Sequence, residues 1–141
     1  METIIGSEFP KKVIPLIENA VKTIEIIVFD WRWYPQDPGA SVQLFNQAIV
    51  RAVRRGVKVC ALANNDEIIR TLRENGVDAR RIKIKNLLHC KLILIDSGLV
   101  IIGSHNYTQM AFQSNLEVSV IFEDKLTADR LKIFFYNLWG V

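Results

Sequence analysis

Residues 89 to 102 read His89-Cys90-Lys91-Leu92-Ile93-Leu94-Ile95-Asp96-Ser97-Gly98-Leu99-Val100-Ile101-Ile102. Two runs rich in leucine and β-branched residues flank an Asp-Ser-Gly turn, a pattern typical of a β-hairpin. We therefore predict one strand from His89 to Ile95 and an antiparallel partner from Leu99 to Ile102. This hairpin decides the fold class, because it requires antiparallel pairing in the second half of the chain.

The first half of the chain alternates strand-like runs with segments of helical period. Residues 23–29 form a nearly continuous apolar run, and residues 41–55 have an amphipathic helical pattern with Ser41 as the expected N-cap. A short strand is predicted at residues 81–84. Strands that alternate with helices and are followed by a hairpin predict an α/β layered fold, with a mixed parallel/antiparallel sheet flanked by helices.

Length and composition indicate an ordinary globular domain. The chain has 141 residues, of which 50% are hydrophobic and 23% charged, and we predict one domain over residues 1–141. The start lacks the pattern of a secretory signal, and the apolar runs are too short to span a bilayer. We expect no stable membrane insertion and, by default, a cytoplasmic location. Cys60 and Cys90 lie in apolar runs and are predicted to be buried thiols, neither disulfide-bonded nor zinc-binding.

The charge is mildly positive, at +3 with a pI near 9.0. Two basic clusters stand out, one of Arg51, Arg54, Arg55 and Lys58 and the other of Arg80, Arg81, Lys83 and Lys85. Clusters of this kind permit binding to a polyanion such as nucleic acid. Basic residues on the solvated faces of helices and strands explain them equally well.

His89 and Lys91 are the strongest candidates for chemistry. Side chains two residues apart on a strand share a face, so the imidazole and the ammonium are expected to be neighbours. Such a pair suits nucleophilic attack on an anion, because the ammonium neutralises charge as it develops. Taken singly, the histidine is more often structural, and the lysine more often protects an exposed edge strand.

Further polar residues follow the hairpin, in Gly103-Ser104-His105-Asn106 and Asn115-Leu116-Glu117. Ser104 and Asn106 can donate hydrogen bonds to phosphate oxygens. Glu117 can accept a proton from the second imidazole nitrogen of His89 and so orient the ring. Asp96 is more simply explained as the first residue of the hairpin turn.

Taken together, these residues resemble a known motif. The pattern His89-x-Lys91-x4-Asp96, then Gly103-Ser104-x-Asn106-x-Thr108, then Asn115-x-Glu117, is similar to the HKD motif of the phospholipase D superfamily. The length and the order of elements resemble its single-motif members, the small Nuc-type endonucleases and the mitochondrial cardiolipin hydrolase branch. The resemblance implies a phospholipase D/nuclease-like fold.

The resemblance also implies a mechanism. Family members use the histidine of one motif as the nucleophile on a phosphodiester, which gives a phosphohistidine, and the histidine of a second motif as acid and then base, with no metal or other cofactor. This chain has one motif, so the resemblance implies a homodimer with His89 and Lys91 of both protomers at the two-fold axis. By position, His89, Lys91, Asn106 and Glu117 are the catalytic residues. Ser104, Lys91 and Asn106 bind phosphate, and Asp96 and Gly103 are structural.

The substrate stays open at this point. Residues 31–34, Trp-Arg-Trp-Tyr, could stack bases, anchor at a membrane interface or pack in the core. The excess of basic over acidic residues favours a nuclease acting on DNA or RNA over a phospholipid phosphodiesterase of the cardiolipin type. A non-catalytic nucleic-acid-binding module that keeps the fold is the alternative from another class. His105 either contacts substrate or caps a turn, and the turn is preferred.

Overall fold

A seven-stranded mixed sheet forms the centre of the protein in the computed structural model, which describes residues 1–140. The strands are β1 (Glu2–Ile5), β2 (Thr23–Ile27), β3 (Lys58–Ala63), β4 (Asp78–Arg81), β5 (Leu92–Ile95), β6 (Leu99–Gly103) and β7 (Val118–Glu123). Their order is β1-β7-β6-β5-β2-β3-β4, with β2, β3 and β4 parallel and every other neighbouring pair antiparallel. The predicted α/β fold with a mixed sheet is confirmed.

The two faces of the sheet are covered unequally. The helices are α1 (Glu8–Glu18), α2 (Ser41–Arg54), α3 (Asp66–Glu74), α4 (Gln109–Gln113) and α5 (Lys125–Trp139). Helices α1 to α4 bury apolar residues in the larger core on one face, and α5 packs over a smaller core on the other. Ile5 and Val118, register partners on β1 and β7, stay largely exposed. Within residues 1–140, no helix has the length and apolar character needed to cross a bilayer.

The predicted hairpin is confirmed as β5 and β6, with Leu92 opposite Ile102 and Ile95 opposite Leu99. Asp96 and Ser97 have φ angles of 52° and 62°. Positive φ at Asp96 and Ser97 is the geometry of a type I′ turn, here from Ile95 to Gly98, within a three-residue connection between the paired Ile95 and Leu99. The sequence therefore placed the turn correctly.

The Asp96 carboxylate holds this turn against the start of β2. Its oxygens accept hydrogen bonds from the backbone N–H groups of Val21, Lys22 and Thr23, the shortest being 2.7 Å from Lys22. Partial burial alone acts to raise the pKa of Asp96, but these backbone donors outweigh it and lower the pKa below its ordinary value. Asp96 lies at the opposite end of β5 from His89, and its contacts are structural.

Three boundaries differ from the predictions. Strand β5 begins at Leu92 because Leu92 pairs with Ile27, where β2 ends, so His89 and Lys91 lie just before the strand. Strand β4 ends at Arg81 because its parallel partner β3 ends at Ala63, so the strand predicted at residues 81–84 is wrong. Ser41 is the first residue of α2 and not its cap. The Val42 N–H is satisfied instead by the Gln109 side chain of α4, a helix that the pattern did not reveal.

Candidate active site

His89 and Lys91 meet at the edge of the sheet where β5 begins. The Lys91 Nζ lies 3.2 Å from Nδ1 and 3.5 Å from Nε2 of the imidazole, which is itself exposed to solvent. The Nζ is thus close to both ring nitrogens and holds a positive charge beside the imidazole.

Two residues that the sequence reasoning missed support the imidazole. The Phe29 ring, just beyond the end of β2, packs against His89 at a centroid distance of 4.9 Å. Asn64, just beyond the end of β3, donates from Nδ2 to the backbone oxygens of Phe29 and Leu88, at 3.3 and 2.8 Å. Asn64 thus ties the segment before His89 to the ends of two parallel strands. The one available signal was position, since ligand-binding groups collect at the carboxyl ends of such strands.

Asn106 is oriented by the backbone of the same region. Its Oδ1 accepts a hydrogen bond of 3.0 Å from the Asp30 N–H, so the Nδ2 group of the side-chain amide is left to donate elsewhere. The Asn106 Nδ2 donates no hydrogen bond within residues 1–140. A half-buried amide held in this way offers a donor for an anionic oxygen without a cost for reorientation.

Ser104 and Glu117 form a second group at the ends of β6 and β7. The Ser104 hydroxyl donates to Glu117 Oε1 at 2.6 Å and accepts from the Val118 N–H at 3.0 Å. The other carboxylate oxygen of Glu117 accepts from Asn115 Nδ2 at 3.2 Å. The predicted hydrogen bond from His89 to Glu117 is not formed within this chain, because Ser104 and Asn115 hold the carboxylate.

Gly103 brings these strand ends together. Its N–H bonds to the Lys91 carbonyl oxygen, and a Cβ at this position would lie 2.4 Å from the Ser119 Cα and 2.5 Å from the Val118 carbonyl oxygen. Only the absence of a side chain lets β7 approach so closely. Gly103 therefore lies between the Lys91 backbone on one side and β7 on the other.

His105 belongs to the core and not to the reactive surface. Its Nδ1 lies 2.7 Å from the Ser119 Oγ and its Nε2 2.9 Å from the Gly6 carbonyl oxygen, and its ring packs on Phe9. Because a carbonyl oxygen only accepts, Nε2 carries the proton and Nδ1 accepts from Ser119. Burial lowers the pKa of His105. Contact with substrate is excluded by burial, and the side chain joins β6 to the turn between β1 and α1.

The aromatic run at residues 31–34 has two functions in the fold. Trp31 is buried and donates from Nε1 to the Asn46 Oδ1 at 2.7 Å, so it is a core residue. Trp33 and Tyr34 are half-buried and pack against that core from the side of a cavity. Of the alternatives left open by the sequence, core packing holds for Trp31.

Four of the eight basic residues that suggested a polyanion surface have structural partners. Arg51 and Arg55 pair with Glu18, Arg81 pairs with Asp66, and Arg80 stacks on Trp139. Lys83 and Lys85, by contrast, form no ion pair within the described part of the chain and lie on the exposed segment that leads to His89. Any basic contribution to the site therefore comes mainly from this segment and Lys91.

The arrangement combines an exposed imidazole, an adjacent ammonium and an oriented amide donor at one edge of the sheet. These are the groups needed to attack a tetrahedral anion and to stabilise the charge that develops on its oxygens. Of the two histidines in the sequence, His89 is the exposed one, since His105 is buried in the core.

Comparisons with known proteins identify the family of the chain. A family model described as "Cardiolipin synthase, PLD-like domain" matches residues 13–139. The mitochondrial cardiolipin hydrolase of Xenopus laevis is 29% identical over 139 residues, which cover 94% of this chain and 61% of that protein. A phospholipase D of Rickettsia felis is 33% identical over 102 residues, 68% of this chain and 51% of that protein. The chain thus spans half to three fifths of these relatives.

The fold has a close counterpart among solved structures. Nuc from Salmonella typhimurium, described as a phospholipase D family member, superposes with a TM-score of 0.82 at 20% identity. The match covers 98% of this chain and 93% of that chain. At this identity the likeness concerns the fold.

Proposed function

The chain belongs to the phospholipase D superfamily, and from that membership we propose that it is a metal-independent phosphodiesterase whose substrate is nucleic acid. The observation that carries the proposal is the direct contact between the exposed His89 imidazole and the Lys91 ammonium. Neither a structural histidine nor a binding surface needs an ammonium held against an exposed imidazole. A nucleophile that attacks an anion does, because the cation attracts the phosphate and stabilises the pentavalent transition state.

The proposed reaction has two steps. A His89 nitrogen attacks phosphorus and forms an N–P bond, while the P–O bond to the leaving group breaks and the second protomer's imidazolium protonates the leaving oxygen. That imidazole then takes a proton from water, the resulting hydroxide attacks phosphorus, and the N–P bond breaks. Lys91, Ser104 and Asn106 bind the phosphate oxygens, and Glu117 orients the imidazole in the assembled site.

A homodimer is part of this proposal, because one chain contributes one exposed histidine. The surface that supports it is an apolar rim formed by Ile5, Leu116 and Val118, which are 60%, 101% and 55% exposed. Ile5 and Val118 are register partners at the end of β1 and the start of β7, and Leu116 lies two residues before β7. The rim is at the edge of the sheet where Glu117 and His89 also lie, so a second copy that covered this edge would bring a second His89 to the site and bury apolar surface in the same step.

The reaction is tested with bis-p-nitrophenyl phosphate and single-stranded DNA in excess EDTA. We expect turnover without metal, and a loss of at least about a thousandfold in His89→Ala, as for other removed nucleophiles. Asn86→Ala, a polar truncation in the same exposed segment, is the matched control for loss of a side chain. An alkaline quench during turnover should leave a phosphoryl group on the peptide that contains His89. Metal-dependent turnover, or full activity in His89→Ala, would contradict the mechanism.

The dimer is tested by adding charges to the apolar rim. Leu116→Lys/Val118→Lys is expected to sediment as a monomer and to lose hydrolysis, although added cations alone would favour an anionic substrate. Val21→Lys/Leu126→Lys adds the same two charges at exposed apolar positions near the opposite end of the sheet and serves as the control. An active monomeric double variant of the rim would refute the shared site.

A phospholipid phosphodiesterase is the second candidate, and one observation favours it. The segment before His89 exposes Ile84 and Leu87 beside Lys83 and Lys85. Exposed apolar side chains among lysines suit the surface of an anionic bilayer. Side-by-side hydrolysis of single-stranded DNA and of cardiolipin vesicles by one preparation decides between the candidates, and hydrolysis of neither by folded dimer favours a non-catalytic module.

A further inference from the structure

A cavity of about 600 Å³ opens at the carboxyl ends of β2 and β3, on the same edge of the sheet as His89. It lies between the loop after β2, the first turn of α2 and helix α3. Its lining includes Trp33, Tyr34, Gln43, Gln47, Asn65 and Thr71. A volume of this size is within the range of pockets that hold small organic groups.

Two aromatic rings form one wall and are held in place. The Tyr34 N–H donates to the Gln43 Oε1 at 2.7 Å, and Trp33 packs beside Trp31 at a centroid distance of 6.4 Å. Trp31 is itself anchored by its bond to Asn46. Half-buried rings with fixed backbones lose little entropy when a flat ligand stacks on them.

The amide groups of the wall have unused hydrogen-bonding capacity. The Gln43 Oε1 accepts from both the Tyr34 N–H and Asn46 Nδ2, and the Gln43 Nε2 is a buried donor with no partner among the described residues. Gln47 makes no side-chain hydrogen bond within residues 1–140. The Asn65 Oδ1 caps α3, which leaves its Nδ2 as a donor.

The cavity is connected to the reactive groups through consecutive residues. Phe29 supports His89, and the next residue, Asp30, lines the cavity while its N–H is bound by Asn106. Asp30 also pairs with Arg32, which lines the cavity as well. A chain whose phosphate lies at His89 and Asn106 therefore has the cavity within reach of the group attached next to it.

We infer that this cavity binds a nucleobase adjacent to the scissile phosphate, an inference that rests on the proposed function. Stacking on Trp33 or Tyr34 and hydrogen bonds from unused amides match a planar ring with acceptors at its edge. An acyl chain would need an apolar lining, whereas this wall is largely amide, hydroxyl and carboxylate. Base contacts here give the site a preference for single strands, because a paired base cannot enter.

The test measures binding without turnover, in the His89→Ala background at fixed salt concentration. Fluorescence anisotropy compares a labelled oligothymidylate with an abasic oligomer of equal length and phosphate number. We expect the abasic oligomer to bind about tenfold or more weakly, as the loss of a stacked base predicts. Thr71→Tyr fills the cavity and should bring the ratio of the two dissociation constants, abasic over oligothymidylate, close to one. Gln47→Ala should reduce this affinity ratio.

Arg70→Tyr is the matched control, since it adds the same ring to the outer face of α3. It should keep the affinity ratio measured for the protein with the native cavity. Equal affinity for both oligomers, or an unchanged ratio in Thr71→Tyr, overturns the inference. Weaker binding of Thr71→Tyr to cardiolipin vesicles, with unchanged binding to DNA, also overturns it and assigns the cavity to lipid. Failure of the proposed function appears separately, as absent hydrolysis by the protein with His89 intact.

Discussion

Replacing Gly103 by alanine tests how the strand ends are brought together. The added Cβ would lie 2.4 Å from the Ser119 Cα and 2.5 Å from the Val118 carbonyl oxygen, so β7 must move by about 1 Å to reach ordinary contact. Overpacking of this kind costs about 1–3 kcal/mol. The shift also weakens the hydrogen bond from the Ser104 N–H to the Val118 oxygen, for about 1 kcal/mol more.

We therefore expect Gly103→Ala to lower the free energy of unfolding by about 2–4 kcal/mol, and Tm by about 10 °C for a chain of this length. Urea and thermal unfolding followed by circular dichroism measure both quantities. Gly39→Ala is the control, because no atom lies within 4 Å of its added Cβ, and it should stay within about 1 kcal/mol of the native chain. Native-like stability of Gly103→Ala would refute the close approach of β6 and β7.

Three further predictions concern buried or bonded ionisable groups, each measured by urea unfolding as a function of pH. Asp96→Asn removes a charged acceptor of three backbone N–H groups and should lower the free energy of unfolding by about 1.5–3 kcal/mol at pH 7. Because the pKa of Asp96 is lowered in the folded state, the native chain should lose this stability as the pH falls below 3.8. An equal loss in the variant over that pH range would contradict the prediction. Burial raises the pKa of Glu25, one of whose carboxyl oxygens has no partner among the described residues, so the stability that the protonated group contributes is lost as the pH rises above 4.5. Glu25→Gln should therefore gain stability relative to the native chain as the pH rises from 4 to 8. A difference in the free energy of unfolding that stays constant over this range would count against the prediction. Burial lowers the pKa of His105, so stability present above pH 6.5 is lost as the pH falls through the folded value, and His105→Gln should show a smaller loss between pH 8 and 5.5 than the native chain.

Much of the candidate site could be predicted because its signal is local. His89 and Lys91 are two residues apart, and the hairpin turn follows from the residues at positions 96–98. The neutral donor predicted at Asn106 is oriented by the Asp30 backbone, a contact between residues far apart in sequence. The bond from Glu117 to Ser104 was not foreseen, because both groups could equally have reached His89 on the basis of strand order alone.

The same limit explains why the roles of two residues stayed open. His105 and Trp31 carry polar atoms that fit either a functional or a structural role when only the neighbouring residues are known. Each is buried because a specific partner, Ser119 for the histidine and Asn46 for the tryptophan, satisfies those atoms in the core. A partner of this kind cannot be identified from spacing, since the two residues of each pair lie on different elements.

By itself, the sequence determined the element types, the mixed sheet, the hairpin and the proximity of His89 to Lys91, because periodicity, turn chemistry and short spacings act over a few residues. Tertiary structure alone decided where β5 begins, which histidine is exposed, how Glu117 is held, and that a cavity with unused amides lies one residue beyond Phe29. Those outcomes depend on which strand ends meet and on which buried polar atoms find partners there. Both are set by long-range packing.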